Sequence, residues 1–146
     1  MENISKILLY LMACSIQRVK PEEKSLVGAD LEKLLQTAKA HSVSAMVCMA
    51  LEQTDTFRNA EESTRLKWID AKNKAVRKNL LLDTERHQLE KEFAKNGIWY
   101  MPLKGSILKD WYPKFGMREM ADNDILFDEK KRNDVKPVSY THLRAH

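Results

Sequence analysis

NGIWYMPLKGS (Asn96–Ser106) is where the chain changes texture. Everything from about Asn59 to Asn96 lacks Pro and Gly and reads as one long helix. Gly97 suits the left-handed residue that closes it, because a residue without Cβ enters that conformation at no steric cost. IWYMP is then short, β-branched and aromatic, as a strand is. Lys104-Gly105 makes a turn, and Ser106 is placed to cap a short helix, SILKDWY, that stops at Pro113. PKFGMREMAD is a loop, NDILFD a second strand, and EKKRNDVK the opening of another helix. Helices come first and the start of an α/β core follows, which predicts an α+β fold.

Upstream of the switch the periodicity is helical. Asn3 to about Val19 carries Ile4, Ile7, Leu8, Leu11 and Ile16 on a stripe broken before Pro21. Asp30 is a plausible N-cap for a helix with Leu31, Leu34, Leu35 and Ala38 inward. A third helix covers about Val43 to Leu51, with Met46 and Met49 as flexible core filler. In the long helix the stripe reads Leu66, Ile69, Val76, Leu80, Leu82, Leu89 and Phe93, and the charged faces read as solvated. Trp68 and Trp99 are expected in the core. The organisation expected is thus a helical segment over 1–96 and the first part of an α/β core over 97–137.

The totals agree with one ordinary domain or a piece of a larger one: 146 residues, 43% hydrophobic and 32% charged, with only 4 Gly and 4 Pro. A net charge of +4 and a pI near 9.0 suit a polyanionic partner, yet acids and bases alternate and no basic block is present, so specific nucleic-acid binding is not expected. Cys14 and Cys48 form no C-x-x-C pair, which excludes a zinc knuckle and predicts two buried thiols in a reducing compartment. No run reaches transmembrane length, and the first fifteen residues lack a convincing cleavage site. A cytoplasmic protein with no membrane partner is expected.

Two stretches carry chemistry. Side chains alternate along a strand, so in DNDILF the residues Asp122, Asp124 and Leu126 share one side and Asn123, Ile125 and Phe127 the other. Two carboxylates together at a strand's beginning can hold Mg²⁺ or Mn²⁺, whose chemistry is to orient a triphosphate and lower the pKa of an attacking hydroxyl. The plainer alternative is a solvated Asx-turn. An EF-hand does not fit, since the required glycine is missing. In LKGS (Leu103–Ser106), a glycine after a strand lets backbone approach a phosphate, and the following N–H groups and the Ser106 hydroxyl can donate to it. His41 and His87 stand alone, without a companion ligand. Trp111 and Tyr112 read as core residues, with a nucleobase wall as the alternative.

A strand, Gly-Ser, a short helix and then D-x-D entering a second strand resembles the polymerase-β-like nucleotidyltransferase superfamily. More closely, GIWYMPLKGSILKDWYP and GMREMADNDILF are similar to a bacterial nucleotidyltransferase-like family with an LKG turn and an R-x-x-x-D-x-D segment. The likeness runs over most of residues 25–136 and is densest from Gly97 to Phe127. It implies a helical segment followed by the start of a mixed sheet, and transfer of a nucleoside monophosphate from an NTP to an unknown acceptor hydroxyl. Gly105 and Ser106 would bind the triphosphate and Asp122 and Asp124 the metal. Lys104 and Arg118 would take phosphate or local structural roles, Arg118 alternatively pairing with Asp122. It also implies a third carboxylate on a later strand. The competing reading is a non-catalytic helical interaction or nucleotide-binding module.

The last residues break the pattern. VSYTHLRAH (Val138–His146) resembles a translated sequencing adapter, so the natural frame is expected to be cut near Pro137, leaving the sheet truncated with an open edge prone to self-association.

Overall fold

The computed structural model describes residues 2–131 and 133–135; the expected non-native stretch Val138–His146 lies outside them. The architecture is α+β, with a long helical N-terminal part and one antiparallel pair of strands. Two compact units form, one from residues 2–77 with 112–119, the other from the described residues of 78–111 and 120–135.

In the first unit, helix α1 (Glu2–Gln17) buries Ile7, Leu8, Leu11 and Cys14. Ile16, expected on that stripe, is 50% exposed. Five residues past Leu11 lies about 140° round the helix, so Cys14 continues the inner face instead. Helix α2 (Leu31–Ala40) starts as expected, with the Asp30 carboxylate accepting the Lys33 N–H at 3.0 Å, and buries Leu31, Leu34, Leu35 and Ala38. Helix α3 (Ser44–Leu51) is buried at all eight positions and contributes Val47, Cys48, Ala50 and Leu51 to the main core.

Sequence patterning did not anticipate a 3-10 turn over Glu23–Leu26 or the short helix α4 (Asp55–Arg58). Side-chain oxygens make α4. Thr54 Oγ1 accepts the Phe57 N–H at 3.1 Å, and the Glu23 carboxylate accepts the N–H groups of Asp55 and Thr56 at 2.7 and 3.0 Å.

Helix α5 (Glu62–Lys95) buries Trp68 as expected and packs Ile69 and Val76 partly against core clusters, but small and polar residues fill much of its inner face. Thr64, Trp68, Ala71 and Ala75 are buried in the first unit, with the Trp68 indole donating to the Leu31 carbonyl at 3.1 Å. Leu66 and Leu80 are 57% and 53% exposed. The segment 112–119 returns to this unit, and Gly116 (φ +78°) fits against Val76 where a Cβ would sit 2.5 Å from Cγ2.

In the second unit, α5 contributes Leu82, Leu89 and Phe93. Its end is the expected glycine cap. Gly97 has φ +63°, its N–H bonds the Ala94 carbonyl, and the Ile98 N–H bonds the Phe93 carbonyl at 2.9 Å. This is a Schellman motif with its hydrophobic contact, since Ile98 and Phe93 share one core cluster. Strands β1 (Tyr100–Pro102) and β2 (Ile125–Phe127) pair antiparallel with Tyr100 opposite Phe127 and Pro102 opposite Ile125. Tyr100, Ile125 and Phe127 pack on Leu89, Phe93 and Val135; Phe93 meets Tyr100 edge-on at 5.6 Å. Trp99 is 58% exposed, not a core residue, because it falls on the other side of that strand. No described helix is long and apolar enough to cross a membrane.

Candidate functional site

The two stretches singled out in the sequence come together in the second unit because the strands carrying them pair. Beyond Pro102 and Ile125 the ladder gains one more bond, from the Leu103 N–H to the Asp124 carbonyl at 2.9 Å. The ladder therefore reaches Leu103 and Asp124, where the LKG turn and the D-x-D segment meet. Exposure alternates as strand geometry requires: Asp122, Asp124 and Leu126 are exposed, while Asn123, Ile125 and Phe127 are half-buried. Both carboxylates thus stand on the open side of the pair. Lys104 Nζ lies 3.5 Å from Asp124 Oδ2, with the two side chains 78% and 45% exposed.

Lys104 is also the backbone outlier of the turn. Its φ of 44° and ψ of −108° lie outside the regions favoured by residues with a Cβ. Helix α6 (Gly105–Leu108) starts at once, and the Lys104 carbonyl accepts from Ile107 and Leu108. Ser106 does not cap this helix, contrary to the sequence reading. It sits one residue inside, 3% exposed, and its hydroxyl donates back to the Leu103 carbonyl at 2.9 Å. The N-cap position belongs to Lys104, which makes no side-chain cap.

Sequence reading missed the groups that hold these loops. Asn123, between the aspartates, points to the other side and donates from Nδ2 to the Leu82 carbonyl at 2.8 Å. Its Oδ1 is buried without a hydrogen-bond partner. Beneath α6 lies an ionic cluster: Lys109 bonds Asp83 at 2.8 Å and Asp110 at 3.0 Å, Arg86 lies 3.3 Å from Asp83, and Arg86 Nη1 donates to the Ser106 carbonyl at 3.4 Å. Burial pulls the Lys109 pKa down, but its hydrogen bonds to Asp83 and Asp110 outweigh that and the net shift is upward, which favours the charged ammonium. These α5 charges belong to a face read as solvated, yet the side chains of Asp83 and Arg86 are only 18% and 11% exposed. The i, i+3 spacing of Asp83 and Arg86 was the one available signal.

Other expected residues fall elsewhere. Arg118 is half-buried and belongs to the first unit, whereas Lys104, Gly105, Ser106, Asp122 and Asp124 belong to the second. Trp111 is 78% exposed and so is no core residue, and Tyr112 packs beside Met46, Met49 and Met117 in the first unit. His87 is exposed at the edge of a groove it shares with Glu90, Lys91, Ala94 and Tyr100.

Two carboxylates suit Mg²⁺ better than a metal that needs an all-protein cage, because Mg²⁺ keeps waters and takes phosphate oxygens alongside one or two carboxylates. Among the described residues no group of three or more His, Cys, Asp or Glu side chains is arranged to hold a metal.

No match was found among curated proteins or among solved structures. A family model described as uncharacterised nucleotidyltransferase matches residues 28–138, about three quarters of the 146 residues, spanning both the LKG turn and the aspartate pair. The chain belongs to that nucleotidyltransferase family.

Proposed function

We propose that the site serves transfer of a nucleoside monophosphate from an NTP to an acceptor hydroxyl, with Asp122 and Asp124 as the metal-holding pair. The observation that supports this reading is the ladder bond from Leu103 to Asp124, which brings Asp124 beside the LKG turn, together with the exposure of both aspartates. Mg²⁺ or Mn²⁺, when bound there, supplies charge neutralisation at the triphosphate and a lowered pKa for the acceptor hydroxyl.

The chain's own residues prepare for that. Gly105 leaves room for a phosphate to approach backbone, and the first N–H groups of α6 have no acceptor within the helix. Ser106 contributes through its amide, because its hydroxyl is committed to Leu103. Lys104, highly exposed and paired only at 3.5 Å, is free to leave Asp124 for a phosphate oxygen when a metal takes its place. Asn123 keeps the two aspartates facing outward by tying the segment to Leu82.

The test is ATP binding with and without Mg²⁺, followed by isothermal calorimetry for the chain and for Asp122→Asn and Asp124→Asn. Metal-dependent binding lost in both variants supports the proposal. Binding that ignores the metal and survives both substitutions points to a nucleotide-binding module without transfer chemistry.

A further inference from the structure

The first unit holds a hollow unrelated to the aspartate pair. The returning segment 112–119 crosses the end of α1 and the side of α3 there, leaving a space of about 260 Å³ lined by Cys14, Ser15, Arg18, Met49, Gln53, Pro113, Lys114 and Met117. Its floor is apolar and buried: Cys14, Met49 and Met117 are 6%, 9% and 1% exposed, and the Ser15 hydroxyl donates to the Met46 carbonyl at 2.6 Å.

Its mouth is cationic. Arg18 and Lys114 line the hollow, both exposed, and no acidic side chain lines it. Among the described residues, neither cation enters an ion pair or a side-chain hydrogen bond. Elsewhere on this unit Lys24, Arg58, Lys67, Lys72 and Lys74 each have a carboxylate partner. Arg18 is held at the rim by its backbone: with φ 58° it is the left-handed residue closing α1, and the Val19 N–H bonds the Cys14 carbonyl at 3.0 Å.

We propose that this hollow binds a small amphiphile bearing a single anionic head, a medium-chain or aromatic carboxylate. The apolar body would lie on Cys14, Met49 and Met117, and the carboxylate between Arg18 and Lys114. A volume at the small end of ligand pockets sets the size at roughly ten heavy atoms. A bare anion has no use for the floor, and a neutral alkyl chain has none for the rim.

Cys14 supplies the readout. Its alkylation by iodoacetamide is followed by mass spectrometry of the full chain, with Cys48 as the internal control for unfolding. Cys48 is fully buried and its thiol is pushed up to about 12, so it stays unmodified while the fold is intact. Octanoate is expected to slow Cys14 alkylation, and octanol and inorganic phosphate to do so far less. In the Arg18→Gln/Lys114→Gln variant the octanoate concentration for half-protection should rise roughly tenfold, about fivefold at most per exposed charge. Protection by octanol should not change. The proposal is overturned if octanoate gives no protection, if octanol or phosphate protects equally, or if the double variant binds octanoate as well as the parent while Cys48 remains unreactive.

Discussion

Glu119 caps a helix that begins 75 residues earlier: its Oε1 accepts the Ser44 hydroxyl at 2.6 Å and the Ala45 N–H at 3.0 Å. Helix α3 has no cap of its own, because Val43 stands at its N-cap position, and every residue of α3 is buried. Its first N–H groups therefore have no water to turn to. Glu119→Ala is expected to lower stability by about 1–2 kcal/mol, the range for losing an N-cap at a buried helix end. Ser44→Ala should cost less, since the carboxylate still holds Ala45. A double-mutant cycle in urea checks this, and additive losses would show that the two residues act independently.

Three residues before Glu119, Gly116 meets Val76 so closely that an added Cβ would lie 2.5 Å from Cγ2 and 3.2 Å from Cα. Its φ of +78° is a second obstacle to any side chain. Gly116→Ala is expected to destabilise by about 2 kcal/mol or more. Val76→Ala in the same chain should recover only part of that, because it relieves the contact with Cγ2 and leaves both the φ and the backbone contact. Full recovery would mean that the positive φ costs nothing here.

The boundary between what was legible and what was not runs through α5. Asp30 and Gly97 were readable because capping is local, and the Asp122/Asp124 alternation because strand geometry fixes a period of two. The inner face of α5 was legible only in part, through Trp68, Leu82, Leu89 and Phe93. Beside those it is built from Thr64, Ala71, Ala75 and Asn79, while Leu66, Leu80 and Leu81 point outward. Hydrophobic periodicity weights large apolar side chains, so it passes over inner positions that small and polar residues occupy. The aspartate pair and the LKG turn were found as motifs, but Asn123 and the Asp83–Lys109 pair were not, since their partners lie 41 and 26 residues away. Trp99 and Trp111, exposed against expectation, should be quenched by acrylamide in the native state, whereas Trp68 should not.

Glu23 gives the fold an acid limit. The N–H of Asp55, then that of Thr56, hold its carboxyl below the ordinary value of 4.5, with the Thr56 hydroxyl and Lys20 adding to the effect. A depressed folded-state pKa means that the stabilisation is complete above 4.5 and disappears as pH falls through the lower folded value. Glu23→Gln should therefore melt earlier than the parent at pH 7, and the gap should close as pH drops below 4.5. A gap in Tm that is constant with pH would assign Glu23 a packing role instead.

Asn123 separates positioning from metal holding. Losing its 2.8 Å bond to the Leu82 carbonyl should cost about 1 kcal/mol of stability. Asn123→Ala is also expected to weaken Mg²⁺-dependent ATP binding, although residue 123 faces away from Asp122 and Asp124. Unaltered nucleotide binding in a measurably less stable variant would limit Asn123 to the fold.

Lys104 is the position where stability and function should move in opposite directions. Its backbone, at φ 44° and ψ −108°, is strained for any residue with a Cβ, and such strain costs on the order of 1–3 kcal/mol. Its side chain adds little to stability, because a pair with 78% and 45% exposed partners at 3.5 Å is screened by solvent. Lys104→Gly should thus raise the urea midpoint, equivalent to about 1 kcal/mol, while Lys104→Ala leaves it nearly unchanged. Both should bind Mg²⁺-ATP less tightly to a similar extent, since both lack the ammonium group that would meet a phosphate. If Lys104→Gly is stabilised and binds as the parent does, neither the ammonium group nor the strain has a part in the nucleotide site. If both variants lose stability together, the ammonium–carboxylate contact with Asp124 carries more of the fold than its exposure implies.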